Sequence, residues 1–309
     1  MRVLVTGGAG FIGSNIVDAL VDAGHEVRVL DNLATGKASN VRAGVKLEQV
    51  DLRDGASVDR VIAEFRPEAI SHQAAQTSVA VSVREPVLDA EANVIGSIHL
   101  FEACVKHHVG RVVFASTGGA IYGEVADGQR AEVGWREDPL SPYACSKLAV
   151  ERYMGFYRRE HGLDGVVLRY ANVYGPRQDP HGEAGVIAIF HQRLKAGQPI
   201  QINAKLEQGD DGCVRDYVFV SDVVRANVMA LTGNLHGTVN VATGTETTTR
   251  QAADLIAAAL KVDSPEIGFG GRRAGDLQRS VLLPAGELGE CVSFADGIGM
   301  TAEWFSGES

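Results

Sequence analysis

Thr6-Gly7-Gly8-Ala9-Gly10-Phe11-Ile12-Gly13 follows the β-branched run Arg2 to Val5 and opens the amphipathic stretch Phe11 to Ala23, whose Ile12, Ile16 and Leu20 form one stripe. Glycines 7, 10 and 13 stand three apart at this strand-to-helix turn. Without a Cβ at these places a strand can turn tightly into a helix, the backbone can approach a diphosphate, and the helix can pack closely on the sheet. The N–H groups and positive dipole end of the helix then face the anion.

Working outward, short β-branched runs alternate with longer amphipathic segments. Strands are expected at Arg2 to Thr6, Glu26 to Asp31, Val45 to Asp51, Ala69 to Gln73, Arg111 to Ser116 and Gly165 to Arg169. A helix is expected over Asn93 to His107, with Val94, Ile98, Phe101 and Val105 along one face. This alternation predicts an α/β fold with a doubly wound parallel sheet over 1–172. Beyond residue 172 the chain turns to Gly-, Pro- and Asp-rich loops, so 173–216 and 244–309 are expected to form a second, smaller α/β domain. Tyr217 to Leu231 again reads as strand then helix, with Asp222 as the expected cap, and the chain is expected to return to the first domain at about 217–243. Thr248-Thr249-Arg250-Gln251 predicts a capping box for a helix running through Leu260.

Composition narrows the partners. The 309 residues carry 29 Lys+Arg against 39 Asp+Glu, a net charge of −10, so no basic stripe is available for a nucleic-acid backbone. No apolar run is long enough to cross a bilayer, and the start reads as strand and loop rather than as a leader, so a cytoplasmic protein is expected. Cys104, Cys145, Cys213 and Cys291 have no metal-ligand spacing, and the adjacent His107 and His108 point in different directions on a helix; no metal is expected.

Asp31 ends the second strand about 20 residues past the glycine loop, where a carboxylate accepts from a ribose diol and repels a 2′-phosphate. NAD is therefore expected over NADP. Asp51, at the end of strand three, is an expected adenine contact. His72 is read as a packed, hydrogen-bonded strand-end residue rather than a base. Tyr143 and Lys147, four apart after Ser141-Pro142, share a helix face. An ammonium one turn away, with the positive ring of an oxidised nicotinamide, has the sign of field that lowers a phenol's pKa, so Tyr143 can take a carbinol proton. At the carboxyl edge of strand five, Ser116 or Thr117 can donate to the same substrate oxygen, and Thr117 is the expected one.

The glycine triplet, Asp31, the Thr117 strand end and the Tyr143/Lys147 pair together resemble the extended short-chain dehydrogenase/reductase superfamily. Asn172-Val173-Tyr174-Gly175-Pro176-Arg177, Gly185-Val186-Ile187 and Val214-Arg215-Asp216-Tyr217-Val218 resemble its nucleotide-sugar branch, above all the UDP-glucose 4-epimerase family. The resemblance implies a Rossmann domain holding NAD at Gly7, Gly10, Phe11, Ile12 and Gly13, at Asp31 and Asn32, and at Asp51 and Leu52. Gln73, Ala74 and Ala75 after strand four, with Asn93, Tyr143, Lys147 and Tyr170, complete that implied set. Thr117, Asn172, Arg215, Arg273 and Ser280 would hold a UDP-sugar, the arginines as fixed cations for the diphosphate. A small Ser280 would leave room for a 2-acetamido group.

Related 4,6-dehydratases carry an Asp-Glu pair directly after the strand-five Thr; here Gly118 and Gly119 stand there, so no carboxylates serve an elimination. The implied activity is epimerisation at C4 of a UDP-hexose through a 4-keto intermediate. A net NAD-dependent dehydrogenase, reductase or decarboxylase on a nucleotide sugar is the second enzymatic reading, and an NAD-binding regulatory subunit the non-enzymatic one. Apolar residues on more than one stripe of Asn93 to His107 and Tyr143 to Glu160 imply burial on two sides; related enzymes pair such helices between subunits, so the resemblance implies a homodimer.

Overall fold

Val3, Leu4 and Val5 in β1 (Arg2–Thr6) are fully buried, as befits a strand covered on both faces. β1 pairs in parallel with β2 (Glu26–Asp31) on one side and β4 (Ala69–His72) on the other. β3 (Lys46–Gln49) joins β2, and β5 (Arg111–Thr117) joins β4, again in parallel. With β6 (Asp164–Tyr170) and the strand Gly237–Val241 they form a seven-stranded sheet in the order Gly237–Val241, β6, β5, β4, β1, β2, β3. The order reverses beside β1, which places the carboxyl ends of β1 and β4 at the switch point where such sheets take ligands. This computed structural model describes residues 1–181, 185–272 and 276–307.

Two compact units result. The first comprises Met1–Thr117, Pro139–Arg169 and Val224–Val239; the second comprises Gly118–Asp138, Tyr170–Val223 and Asn240–Ser309. Residues 118–138, which a cut at 172 leaves with the first body, group with the second. Among the described residues no helix is long and apolar enough to cross a membrane.

The helix starts have visible chemistry, those of α1, α7 and Thr249–Ala259 as expected. The helix α1 (Phe11–Asp22) begins after Gly10, α2 (Gly55–Phe65) is capped by Asp54 accepting from Ser57 N, and α3 (Val79–Arg84) by Ser78 accepting from Val81 N. After α4 (Pro86–Ala90), α5 (Gly96–Lys106) and the short α6 (Gly118–Ile121), α7 (Pro142–His161) starts with Ser141 accepting from Ala144 N and Pro142 in its first turn, and stops at Gly162 in the left-handed region. Thr248 and Gln251 form both hydrogen bonds of the expected capping box before Thr249–Ala259.

Three expectations are corrected. The third strand is shorter than Val45 to Asp51, because the Asp51 carboxylate turns back to accept from Arg53 N at 2.9 Å and ends the extended run. Asp222 is not a cap: it lies in the first turn of Val220–Leu231, buried, and accepts from Val292 N at 3.0 Å. The single helix Asn93 to His107 is instead a π turn, Glu91–Ile95, followed by α5. There the Asn93 amide turns inward to Gln76 and Asp89 while Ser97 Oγ takes the Asn93 carbonyl, and the wide turn accommodates both.

A Cβ at Gly13 would collide with the Gly7 carbonyl, and one at Gly7, whose φ is +67°, would lie 2.7 Å from Ala74 N. Gly13→Ala is expected to cost about 1–3 kcal/mol through forced backbone movement, read as a lower urea midpoint without added nucleotide.

Candidate active site

The β1–α1 turn is closed by backbone alone. Gly7 N donates to Leu30 O at 2.8 Å, Gly10 N to Gly7 O at 3.1 Å, and no side chain caps the first turn of α1. The N–H groups of Phe11, Ile12 and Gly13 therefore belong to a helix start whose donors have no side-chain acceptor. Asp31, buried at the end of β2, braces this loop: Oδ2 accepts from Ala9 N at 3.0 Å and Oδ1 from Leu33 N at 2.8 Å, each oxygen keeping a second lone pair. Asn32 is exposed and donates to Asp51 Oδ2 at 3.0 Å. Asp51 is also held by the Arg53 guanidinium at 2.8 Å, whose hydrogen bonds and charge keep its carboxyl well below the usual range. Leu52 is buried, with its carbonyl on His99 Nδ1 at 3.0 Å. At the end of β4, Ala74 N donates to Thr6 Oγ1 at 3.2 Å, Gln73 Nε2 reaches Ser71 and Asn227, and Ala75 is half-buried. These residues present a backbone-lined cradle with a carboxylate at its rim, a donor set that fits a dinucleotide.

A second cluster forms over β5. α7 carries Tyr143 and Lys147 on one face, and Thr117 ends the strand below. Thr117 stands beside the Tyr143 phenol, and Lys147 Nζ lies 5.9 Å from the Tyr143 ring centroid and 4.8 Å from that of Phe114. Lys147 is 3% exposed and donates to Ala115 O at 2.9 Å. Burial pulls its pKa down to about 8 against the opposing charges of Asp89 and Glu151. In the chain alone, burial first and Asp89 second hold the Tyr143 phenol above its ordinary value, with the adjacent Thr117 hydroxyl opposing them. The lysine field by itself does not free the phenol's proton. Asn93 lies buried in the π turn, bound to Gln76 and Asp89.

In the second unit, Ser280 pairs with Arg215 in adjacent parallel strands, and the Asp216 N–H between the two strands donates to Ser280 O at 3.0 Å. Asn172 N donates to Asp216 O at 2.9 Å and its side-chain amide to the same oxygen at 3.1 Å. The structure thus gathers Asn172, Arg215 and Ser280 around Asp216. Arg215 Nη1 donates to Val214 O, Ser280 is buried, and Tyr170 is buried at the start of the second unit's Tyr170–Val223 segment. Arg273 lies outside the described residues.

The description "NAD dependent epimerase/dehydratase family" matches residues 3–242. The chain belongs to that family. A UDP-glucose 4-epimerase from Thermus thermophilus, solved in complex with NAD, is similar at 54% identity and a TM-score of 0.96, with all of both chains covered. A Thermotoga maritima UDP-glucose 4-epimerase, solved with UDP-glucose, matches at 43% identity and a TM-score of 0.94, covering 100% of this chain and 99% of that one. The UDP-glucose 4-epimerase of Mycolicibacterium smegmatis is 45% identical over the full length of both chains.

For a member of this family, three residues around the pair, Glu151, Asp89 and Ser146, had no expected role. Glu151 extends the Tyr143, Lys147 stripe by one more turn, a spacing visible in the sequence. Its carboxylate accepts from Ser116 Oγ at 2.5 Å and pairs with Arg169 at 2.6 Å, both charged side chains buried. Asp89 and Ser146 meet only in three dimensions. His72 is packed as expected: 1% exposed, with Nδ1 at 2.8 Å from Thr6 Oγ1 and Nε2 at 2.9 Å from Ser97 Oγ.

Burial, with Lys147 nearby, pushes the His72 pKa down to about 3. The unfolded chain takes up a proton near the ordinary value of 6.5 that the folded chain refuses until about 3, so His72 makes stability fall as pH drops through that window. His72→Asn is expected to flatten this fall in urea midpoints measured against pH.

Proposed function

We propose that the chain interconverts the C4 epimers of a UDP-hexose, UDP-glucose and UDP-galactose among them. The observation that carries this is the Thr117–Tyr143–Lys147 cluster, with Gly118 and Gly119 standing where an elimination would need carboxylates. The cradle of Gly7, Gly10 and Gly13 with Asp31 at its rim fits NAD, which supplies, when bound, a positively charged ring and a reversible acceptor for the carbinol hydrogen. Tyr143 takes the proton of the 4′-hydroxyl and later returns it. Thr117 orients that oxygen, and Lys147 carries the charge that steadies the phenolate. The sugar turns over between the two transfers, so C4 is inverted.

Asn172, Arg215 and Arg273 hold the diphosphate in this scheme, and the first two are brought together around Asp216. Ser280 limits the sugar pocket, and its small side chain leaves space for N-acetylated hexoses. The protein acts in the cytoplasm, where four cysteines joined by no disulfide among the described residues suit a reducing compartment. It pairs as a homodimer through α5 and α7, where Ile95 just before α5 and Tyr153 and Phe156 on α7 are large exposed apolar side chains. Light scattering should give twice the 32.8 kDa chain mass.

Supplied separately with UDP-galactose and UDP-GalNAc and no external acceptor, the enzyme should yield the C4 epimers by NMR. Net oxidised product with accumulating reduced nicotinamide would overturn epimerisation. Tyr143→Phe should lower turnover by about 100-fold or more. Ser280→Tyr should depress the rate on the acetamido sugar relative to the plain hexose; an unchanged ratio would remove the gating role.

A further inference from the structure

Asp89, near the end of α4, is fully buried. Its Oδ2 accepts from Ser146 Oγ at 2.6 Å, and its Oδ1 from Gln76 Nε2 at 2.8 Å and Asn93 Nδ2 at 3.0 Å. All three partners are neutral donors, a set that suits an acceptor-only carboxylate. They are themselves locked: Gln76 N donates to Asn93 Oδ1 at 2.8 Å and Asn93 Nδ2 to Gln76 O at 3.0 Å.

The neighbouring carboxylate is handled differently. Glu151 is paired with Arg169, so its charge is cancelled within the sheet-facing side of α7. His72, facing Lys147 from β4, is neutral. The other elements packed on α7 carry Arg84 on α3, Glu91 in the π turn, His99, Glu102 and Lys106 on α5 and Arg111 on β5; Arg84, Glu91, Glu102 and Lys106 are exposed, Glu102 receives the Tyr157 hydroxyl further along α7, His99 is bound to Leu52 O, Lys106 pairs with Asp59, and Arg111 pairs with Asp164. Among the described residues, the buried Lys147 ammonium is therefore left with one nearby negative charge that no cation offsets, that of Asp89.

We propose that Asp89 is a positioning residue for the proton transfer: a buried countercharge, held by Gln76, Asn93 and Ser146, that acts on Tyr143 and Lys147 together. Its field strengthens the hold of both groups on their protons. Lys147 stays an ammonium in spite of burial, and Tyr143 stays a phenol until a further positive charge lies alongside. When that charge is gone, the proton is again held at the phenol, ready for return. This rests on Tyr143 as the proton-transfer group.

Asp89→Asn keeps the size and removes the charge; its Oδ1 still accepts from Gln76 and Asn93, while its amide nitrogen donates to Ser146 Oγ where the carboxylate accepted. The ascending limb of its kcat/KM pH profile should move down by about one pH unit. Tyrosinate absorbance titrations of the nucleotide-free protein, referenced to the same chain carrying Tyr143→Phe, should move the same way. Ser146→Ala breaks the same contact and leaves the carboxylate, so its limb should stay in place. A limb unmoved in Asp89→Asn, or moved equally in Ser146→Ala, overturns the proposal. The unsubstituted protein provides a second measurement should Asp89→Asn not fold. With carbon-labelled aspartate, the Asp89 carboxyl resonance should keep its ionised position across the pH range of activity, and a protonated Asp89 there also overturns the proposal. Failure of the underlying reading looks different, because Tyr143→Phe would then keep its turnover.

Discussion

A cation removed from water must find its compensation in the protein, and the Lys147 ammonium is the group here that makes this demand. Leaving a buried charge unpaired costs several kcal/mol. The first unit meets the cost with the Ala115 carbonyl, the face of the Phe114 ring and two carboxylates from different parts of the chain. Each of these sets a boundary condition on the fold. α7 must lie over β5 at the height where Nζ reaches Ala115 O. α4 and the π turn must come close enough for Asp89 to meet Ser146, one residue before the lysine.

The two carboxylates differ in a way that suits reversible proton transfer. Glu151 has its own arginine and contributes mainly to the structure under the helix. Asp89 is satisfied by amides and a hydroxyl, which stabilise its position without erasing its charge. His72 lies in the same region as a neutral connector between Thr6 and Ser97, and its imidazole adds no charge. A phenol in these surroundings keeps its proton by default, which is the resting state that a group alternating between base and acid requires.

The second unit shows the same economy with the opposite sign of difficulty. Asp216 is fully buried, and burial pushes its carboxyl up while hydrogen bonds from Thr243, Gly244 and Leu282 oppose the shift. Because its partners are mostly backbone N–H groups of separate loops, one side chain draws those loops together. Asn172, Arg215 and Ser280 are in turn brought together around its backbone.

What the amino-acid sequence determined by itself is what consecutive residues encode. The glycine spacing after β1, the carboxylate ending β2, the four-residue interval from Tyr143 to Lys147 and the Thr248–Gln251 box all depend on helix and strand periodicity, and all are legible from spacing alone. The Lys147–Glu151 interval was equally legible and went unassigned, since nothing local reveals that Arg169 neutralises it. Tertiary structure alone decided the rest. Asp89 meets Ser146 across 57 residues, His72 joins Thr6 to Ser97 across 66 and 25, and Asp216 reaches Leu282 across 66. Whether a buried acid or imidazole is charged, neutral or neutralised depends on which distant groups the fold packs against it, and sequence periodicity carries no record of that.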